Sequence, residues 1–130
     1  MKLEKQVCSL EYAKKLKKLG VKQESLWYWI IAEKVSWIIE NNSEILSDKD
    51  KQHYSAFTIA ELGELLPQVF EKEEELYYIE PNANGNGLRF MDYVSENGIF
   101  LRAYPLIEAK TEADARAKML IYLYKNKLIN

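Results

Sequence analysis

The amino-acid sequence predicts an α+β fold in which an antiparallel sheet of about five strands packs against three helices. Apolar residues recur at helical spacing in 10–19 and again after Thr111. Aromatic and β-branched residues dominate 25–40 and the segments between 76 and 104, and short turns separate most of those segments. Strands joined by tight turns pair antiparallel, so we expect the helices on one face, with the C-terminal helix packed on the sheet.

Length and composition favour a single domain spanning 1–130. A chain of 130 residues with 48% hydrophobic residues can bury a sizeable core, and 29% charged residues is close to the usual globular value. The longest apolar run, 26–32, is much shorter than the ~20 residues that cross a bilayer. The N-terminal segment does not resemble a signal peptide. These observations predict a cytoplasmic protein without membrane association.

The first helix is predicted over 10–19. Ser9 precedes it as an N-cap residue, whose hydroxyl accepts hydrogen bonds from first-turn N–H groups. Gly20 follows it, and glycine readily adopts the positive φ that ends a helix. The apolar stripe consists of Leu10, Ala13, Leu16 and Leu19. The solvent-facing side carries Lys14, Lys15, Lys17 and Lys18.

Residues 25–40 are interpreted as two strands joined through 32–34. A continuous apolar block is followed there by a stretch in which apolar residues alternate with others. A helix is the alternative interpretation, but it would be apolar on every face, and aromatic and β-branched side chains fit a pleated sheet better. The polar segment 41–52 is predicted to be a loop.

The second helix has the clearest local signal in the chain. Thr58 and Glu61 have the spacing of a capping box, in which each side chain satisfies a backbone N–H group near the other. Pro67 disfavours helical backbone angles at the residue before it. The helix is therefore predicted to be short, over about 59–66.

Three further strands and a final helix complete the prediction. The strands are expected at 76–80, 88–94 and 98–104, with Asn97 and Gly98 as a tight-turn pair. Thr111 is positioned to cap the final helix. The apolar stripe of that helix consists of Ala113, Ala117, Leu120, Ile121 and Tyr124, widened by Met119, Leu123 and Leu128.

No residue pattern in the sequence indicates an active site. Cys8 is the only cysteine and His53 the only histidine, so a zinc site with several cysteine and histidine ligands is not expected. Cys8 is interpreted as a core residue rather than a nucleophile, and His53 as a loop residue. The glycines at 84–87 suit a hairpin turn, because no helix follows to form a phosphate-binding motif. We therefore predict a non-enzymatic protein without metal or cofactor.

Three sequence blocks resemble a family of small uncharacterised proteins from phage, prophage and mobile-element regions of bacterial genomes. The blocks are KQVCSLEYAKKLKKLGVKQES at 5–25, YSAFTIAELGELLP at 54–67 and TEADARAKMLIYL at 111–123. They cover the three predicted helices, and 32–53 and 68–110 add nothing to the resemblance. The resemblance implies an accessory protein in the cytoplasm of a bacterial host, and it implies no activity, catalytic residue or ligand.

Charge and aromatic residues give the only indication of a binding surface. The net charge is −2, yet 1–22 contains seven lysines against two glutamates, and 61–80 contains one lysine against seven glutamates. We predict a protein-interaction module whose partner is a host or phage protein. Self-association into a homodimer is left open. The alternative is a nucleic-acid-binding module, which combines basic and stacking side chains. The candidate surface consists of Lys14, Lys15, Lys17, Lys18, Trp27, Trp29 and Trp37.

Overall fold

The computed structural model describes residues 2–49, 51–72, 75–81, 87–94 and 99–129. Within those ranges the chain forms five helices and seven strands, where the sequence predicted three helices and about five strands. The helices are α1 (Leu3–Gln6), α2 (Leu10–Lys18), α3 (Ser43–Leu46), α4 (Ile59–Leu65) and α5 (Glu112–Lys125). The strands are β1 (Trp27–Ala32), β2 (Val35–Glu40), β3 (Gln52–Ser55), β4 (Val69–Lys72), β5 (Glu75–Pro81), β6 (Gly87–Val94) and β7 (Ile99–Glu108).

The strands of the described chain form two antiparallel sheets rather than the single predicted sheet. One sheet has the order β2-β1-β3, and the other has the order β4-β5-β6-β7. The mixed α and β composition and the antiparallel pairing agree with the prediction. The second sheet contains the three strands predicted between 76 and 104, and β4 adds a strand that the sequence did not indicate. The predicted turn residues Asn97 and Gly98, and 84–86, lie outside the described residues.

The first hairpin is confirmed, and the helical alternative for 25–40 is wrong. β1 pairs with β2 from Trp27 opposite Glu40 to Ala32 opposite Val35. The intervening turn is therefore only two residues long, and its first residue, Glu33, has a φ of 56°. Two-residue hairpin turns require positive φ at that position because it matches the twist of the strands.

The segment 41–52, predicted to be a loop, contains regular structure at both ends. Asn42 caps α3 by accepting hydrogen bonds from two backbone N–H groups of that helix. At the other end, β3 begins at Gln52 and pairs antiparallel with β1. His53 consequently lies in a strand, and its interpretation as a loop residue is wrong.

Helix α2 begins and ends where the sequence indicated, but its N-terminus is held differently. Ser9 occupies the N-cap position, yet its hydroxyl makes no capping bond. Instead, its backbone N–H donates to Asp114 Oδ1 at 2.7 Å, which ties the start of α2 to α5. At the other end Gly20 has a φ of 91°, and the Val21 N–H donates to the Leu16 carbonyl at 3.1 Å. This is the glycine-dependent ending that the sequence predicts.

The capping box of α4 is confirmed and also anchors β1. Thr58 N–H donates to Glu61 Oε1 at 3.0 Å, and Glu61 N–H donates to Thr58 Oγ1 at 3.1 Å. The second carboxylate oxygen, Glu61 Oε2, accepts a hydrogen bond from the Leu26 N–H at 3.1 Å. One side chain therefore fixes both the start of the helix and the residue before β1.

Helix α5 lies at the centre of the fold, and it packs on the four-stranded sheet as predicted. It contacts α2 and α4 on one side and strands β6 and β7 on the other. One buried cluster joins Leu120 to Leu16 of α2 and Leu62 of α4. A second cluster joins Met119 and Leu123 to residues of the sheet. The buried residues of α5 are Ala113, Ala115, Ala117, Met119, Leu120, Ile121 and Leu123.

Candidate anion-binding groove

An open groove of about 590 Å³ lies between α2 and β3. Helix α2 packs beside β3, so side chains from both elements meet along this junction. The described residues that line the groove are Lys14, Lys17, Lys18, Lys51, Gln52, His53 and Tyr54. Four of them are lysines and none is a carboxylate, which makes the groove the natural binding place for an anion.

Helical spacing explains why three lysines of α2 enter the same groove. Lys14, Lys17 and Lys18 are separated by three and four positions, and residues at that spacing lie on one helix face. We call these three residues the groove lysines. They are exposed, whereas Ala13 and Leu16 on the opposite face are completely buried. The amphipathic pattern of α2 therefore fixes both its packing and the direction of its positive charge.

Tyr54 forms the aromatic wall of the groove, and two groove lysines lie against it. Lys17 Nζ is 5.0 Å from the centre of the Tyr54 ring, and Lys14 Nζ is 6.0 Å from it. The phenol hydroxyl donates to Gln52 Oε1 at 3.2 Å. Lys17 Nζ also donates to the His53 carbonyl at 2.9 Å, which links α2 directly to β3. Lysine ammonium groups over a tyrosine ring gain a cation–π attraction, which helps to hold them at the wall.

The charge of the groove is only partly neutralised. Lys51 Nζ lies 3.5 Å from Asp48 Oδ2, so one positive charge has a carboxylate partner. The groove lysines form no ion pair with any residue that the structure describes. Lys15, the remaining lysine of the predicted surface, points away from the groove and pairs with Glu11 at 3.4 Å. An anion entering the groove would therefore meet three ammonium groups that have no carboxylate partner among the described residues.

His53 is a neutral side chain at this site. Partial burial lowers the pKa of its imidazole below the ordinary value of 6.5, and the nearby positive charge of Lys17 lowers it further. Its ring also makes an edge contact with Tyr28, with ring centres 5.9 Å apart. Both effects favour the neutral imidazole over the charged one.

The three tryptophans of the predicted surface do not line this groove. Trp29 is half-buried against the core, and its indole N–H donates to the Cys8 carbonyl at 2.9 Å. Trp27 lies on the same face of β1, whereas Trp37 is directly opposite Ile30 and therefore lies on the other face of the sheet. Trp29 is directly opposite Tyr54 and shares its face of the sheet, whereas Trp37 lies on the face away from that groove wall. The groove residues that β3 supplies were not predicted, because the four residues of this strand carry no strand pattern in the sequence.

Cys8 is a core residue, as the sequence analysis indicates. It is completely buried, and its thiol donates to the Ser55 carbonyl at 4.0 Å. Burial raises the pKa of the thiol to about 12. Since the thiolate is the nucleophilic form, Cys8 is inert at neutral pH in the folded protein.

Comparison with family models, with curated proteins and with solved structures finds no match to this chain. The described part of the chain contains no cluster of three or more histidine, cysteine or acidic residues arranged to hold a metal ion. None of the helices in the described ranges is both long and apolar enough to cross a bilayer. The function is therefore inferred from the geometry of the groove.

Proposed function

We propose that the protein is a non-enzymatic interaction module that binds an acidic segment of a partner protein in the groove between α2 and β3. The observation that carries the proposal is the lining of that groove, where the described residues include four lysines and no carboxylate. The sequence resemblance supplies the context, an accessory protein encoded by a phage or mobile element and acting in the cytoplasm of a bacterial host.

The groove lysines suit carboxylates on a flexible partner segment. Each ammonium group offers three N–H donors on a long flexible stem, so the site adapts to different carboxylate positions. An exposed ion pair contributes roughly 0–1 kcal/mol, so three or four such pairs give at most about 4 kcal/mol, which corresponds to binding in the millimolar range. The interaction should also weaken strongly with salt, because exposed charges are screened.

Single-stranded nucleic acid is the weaker candidate for the same groove. Such ligands bind by stacking bases on aromatic faces within a basic channel. Here two ammonium groups lie against the ring of Tyr54, at 5.0 and 6.0 Å from its centre, and compete with a base for that ring. A short acidic peptide requires only the lysines.

The test is fluorescence anisotropy with a labelled octaglutamate peptide at low salt. The groove variant replaces the three groove lysines with glutamine. A matched control replaces three exposed lysines elsewhere, Lys2, Lys5 and Lys125, and so changes the net charge equally. We expect the wild type and the control to bind the peptide and the groove variant to lose at least tenfold in affinity.

Two outcomes would overturn the proposal. Equal loss of binding in the groove variant and the matched control would show that the peptide responds to net charge and not to the groove. Tighter binding of an oligothymidylate of equal length, abolished in the groove variant, would establish the nucleic-acid alternative.

A further inference from the structure

One edge of the three-stranded sheet is open, and it belongs to β2. The strand order β2-β1-β3 places β2 at the end, and no described residue pairs with its outer side. Four of its six residues are apolar, and Val35 is 62% exposed. Proteins usually protect such an edge with proline, a bulge, an inward-pointing charge or a covering segment. The sequence of β2 contains no proline, and its pairing with β1 is regular throughout.

The hydrogen bonding of the hairpin identifies which backbone groups face outward. The Asn41 N–H donates to the Leu26 carbonyl at 3.0 Å, so this pair is a hydrogen-bonded one. Hydrogen-bonded and non-hydrogen-bonded pairs alternate along an antiparallel ladder. The N–H and C=O groups of Ser36, Ile38 and Glu40 therefore point away from β1. None of them has a hydrogen-bond partner among the described residues.

Side chains bind the backbone groups at the opposite edge of the same sheet, which belongs to β3. Among the described residues, the lack of partners is therefore particular to the β2 edge. By the same alternation, His53 and Ser55 present the outward backbone groups of β3. The His53 carbonyl accepts from Lys17 Nζ, and the Ser55 N–H donates to Gln23 Oε1 at 2.8 Å. The Ser55 carbonyl accepts from the Cys8 thiol. Side chains thus bind three of the outward backbone groups of β3, whereas no described residue binds those of β2.

We infer that β2 pairs antiparallel with β2 of a second copy of this chain, which joins two three-stranded sheets into one of six strands. The outward groups allow only registers in which even-numbered residues lie opposite even-numbered ones. The register centred on Trp37 places Ser36 opposite Ile38 of the second copy and Val35 opposite its Ile39.

Charge complementarity selects the second copy as the partner and this register among the alternatives. With the twofold axis at Trp37, Lys34 in the turn lies opposite Glu40 of the second copy, and the symmetry repeats the pair at the other end. Both side chains are exposed, and neither forms an ion pair with a described residue. The neighbouring registers that meet the same rule are centred on Ser36 or on Ile38, and both lose these pairs. The groove between α2 and β3 lies at the far edge of the sheet, so both grooves remain accessible in the dimer.

The test measures self-association by analytical ultracentrifugation over a range of protein concentrations. We expect a monomer–dimer equilibrium in which Lys34→Glu or Glu40→Lys raises the dissociation constant about tenfold, because each places like charges opposite each other twice. The double variant that swaps both charges should restore the dimer. Both positions are exposed, so the variants should fold as the wild type does, which circular dichroism checks.

Hydrogen exchange supplies a second readout that is specific for the edge. The amides of Ser36, Ile38 and Glu40 should gain protection as the dimer forms, whereas those of Trp37 and Ile39 are protected in the monomer by β1. A protein that stays monomeric at the highest attainable concentration would overturn the inference. So would a dimer in which the three outward amides stay unprotected, or one that the charge swap fails to restore.

Discussion

Replacing Leu120 with alanine tests whether α5 is the central packing element. Leu120 is completely buried in the cluster that joins α5 to α2 and α4. The change removes three carbons from the core, which costs roughly 2.4 kcal/mol at about 0.8 kcal/mol per methylene. The cavity left behind raises the cost, so we expect the free energy of unfolding to fall by about 3–4 kcal/mol. Leu123→Ala, in the second cluster, should cost a similar amount.

The assay is urea unfolding followed by far-ultraviolet circular dichroism, with Lys125→Ala as the control. Lys125 is exposed on the same helix, so that variant should stay within about 0.5 kcal/mol of the wild type. With a typical slope of roughly 1–3 kcal/mol per molar urea, Leu120→Ala should lower the midpoint by at least about 1 M. A loss below about 1 kcal/mol with an unchanged slope would refute the central position of α5.

The Cys8 thiol should react with a thiol reagent only after unfolding, because burial raises its pKa to about 12, and rapid labelling of the native protein would contradict this. Below pH 9 the thiol is protonated in both the folded and the unfolded protein. Above pH 9 it ionises first in the unfolded protein, so the free energy of unfolding should fall between pH 9 and about 12. Urea titrations should show a shallower fall for Cys8→Ala, and identical slopes would exclude the thiol as a cause. Thr58→Ala should lower the free energy of unfolding by about 1 kcal/mol in the same assay, because it removes the helix cap. A change near zero would argue against the capping box. Lys17→Gln should raise the pKa of His53, measured by NMR, because it removes a nearby positive charge. The pKa should stay below 6.5 because burial persists. The control Lys15→Gln should leave the pKa of His53 unchanged.

The elements predicted correctly from the sequence are those whose causes lie within a few residues. The Thr58–Glu61 capping box, the positive φ at Gly20 and the hairpin at 27–40 each depend on neighbours in the chain. Strand β3 has only four residues, mostly polar, and it is held by pairing with β1 and by contact with α2. Such a strand has no sequence pattern of its own, so it was not predicted. Without it, the first hairpin was assigned to the same sheet as the later strands, and the prediction of a single sheet was wrong.

Only the α2 side of the candidate site could be predicted from the sequence. The groove lysines follow from helical spacing, which the sequence displays directly. Their partners on β3, including Tyr54, come from a segment with no local signal for a strand. The tryptophans were grouped by composition, but the register of the hairpin places Trp29 and Trp37 on opposite faces. Composition does not reveal register, because a shift of one residue exchanges the two faces.

The most direct test of groove binding uses His53, the only histidine of the chain and a residue of the groove lining. Its imidazole signal is followed by NMR during titration with the octaglutamate peptide, in the wild type and in the groove variant. Carboxylates in the groove stabilise the charged imidazole, so the wild-type signal should shift to saturation and the pKa of His53 should rise. The groove variant should show neither change. Binding of the peptide while the signal and the pKa of His53 stay constant would contradict the account.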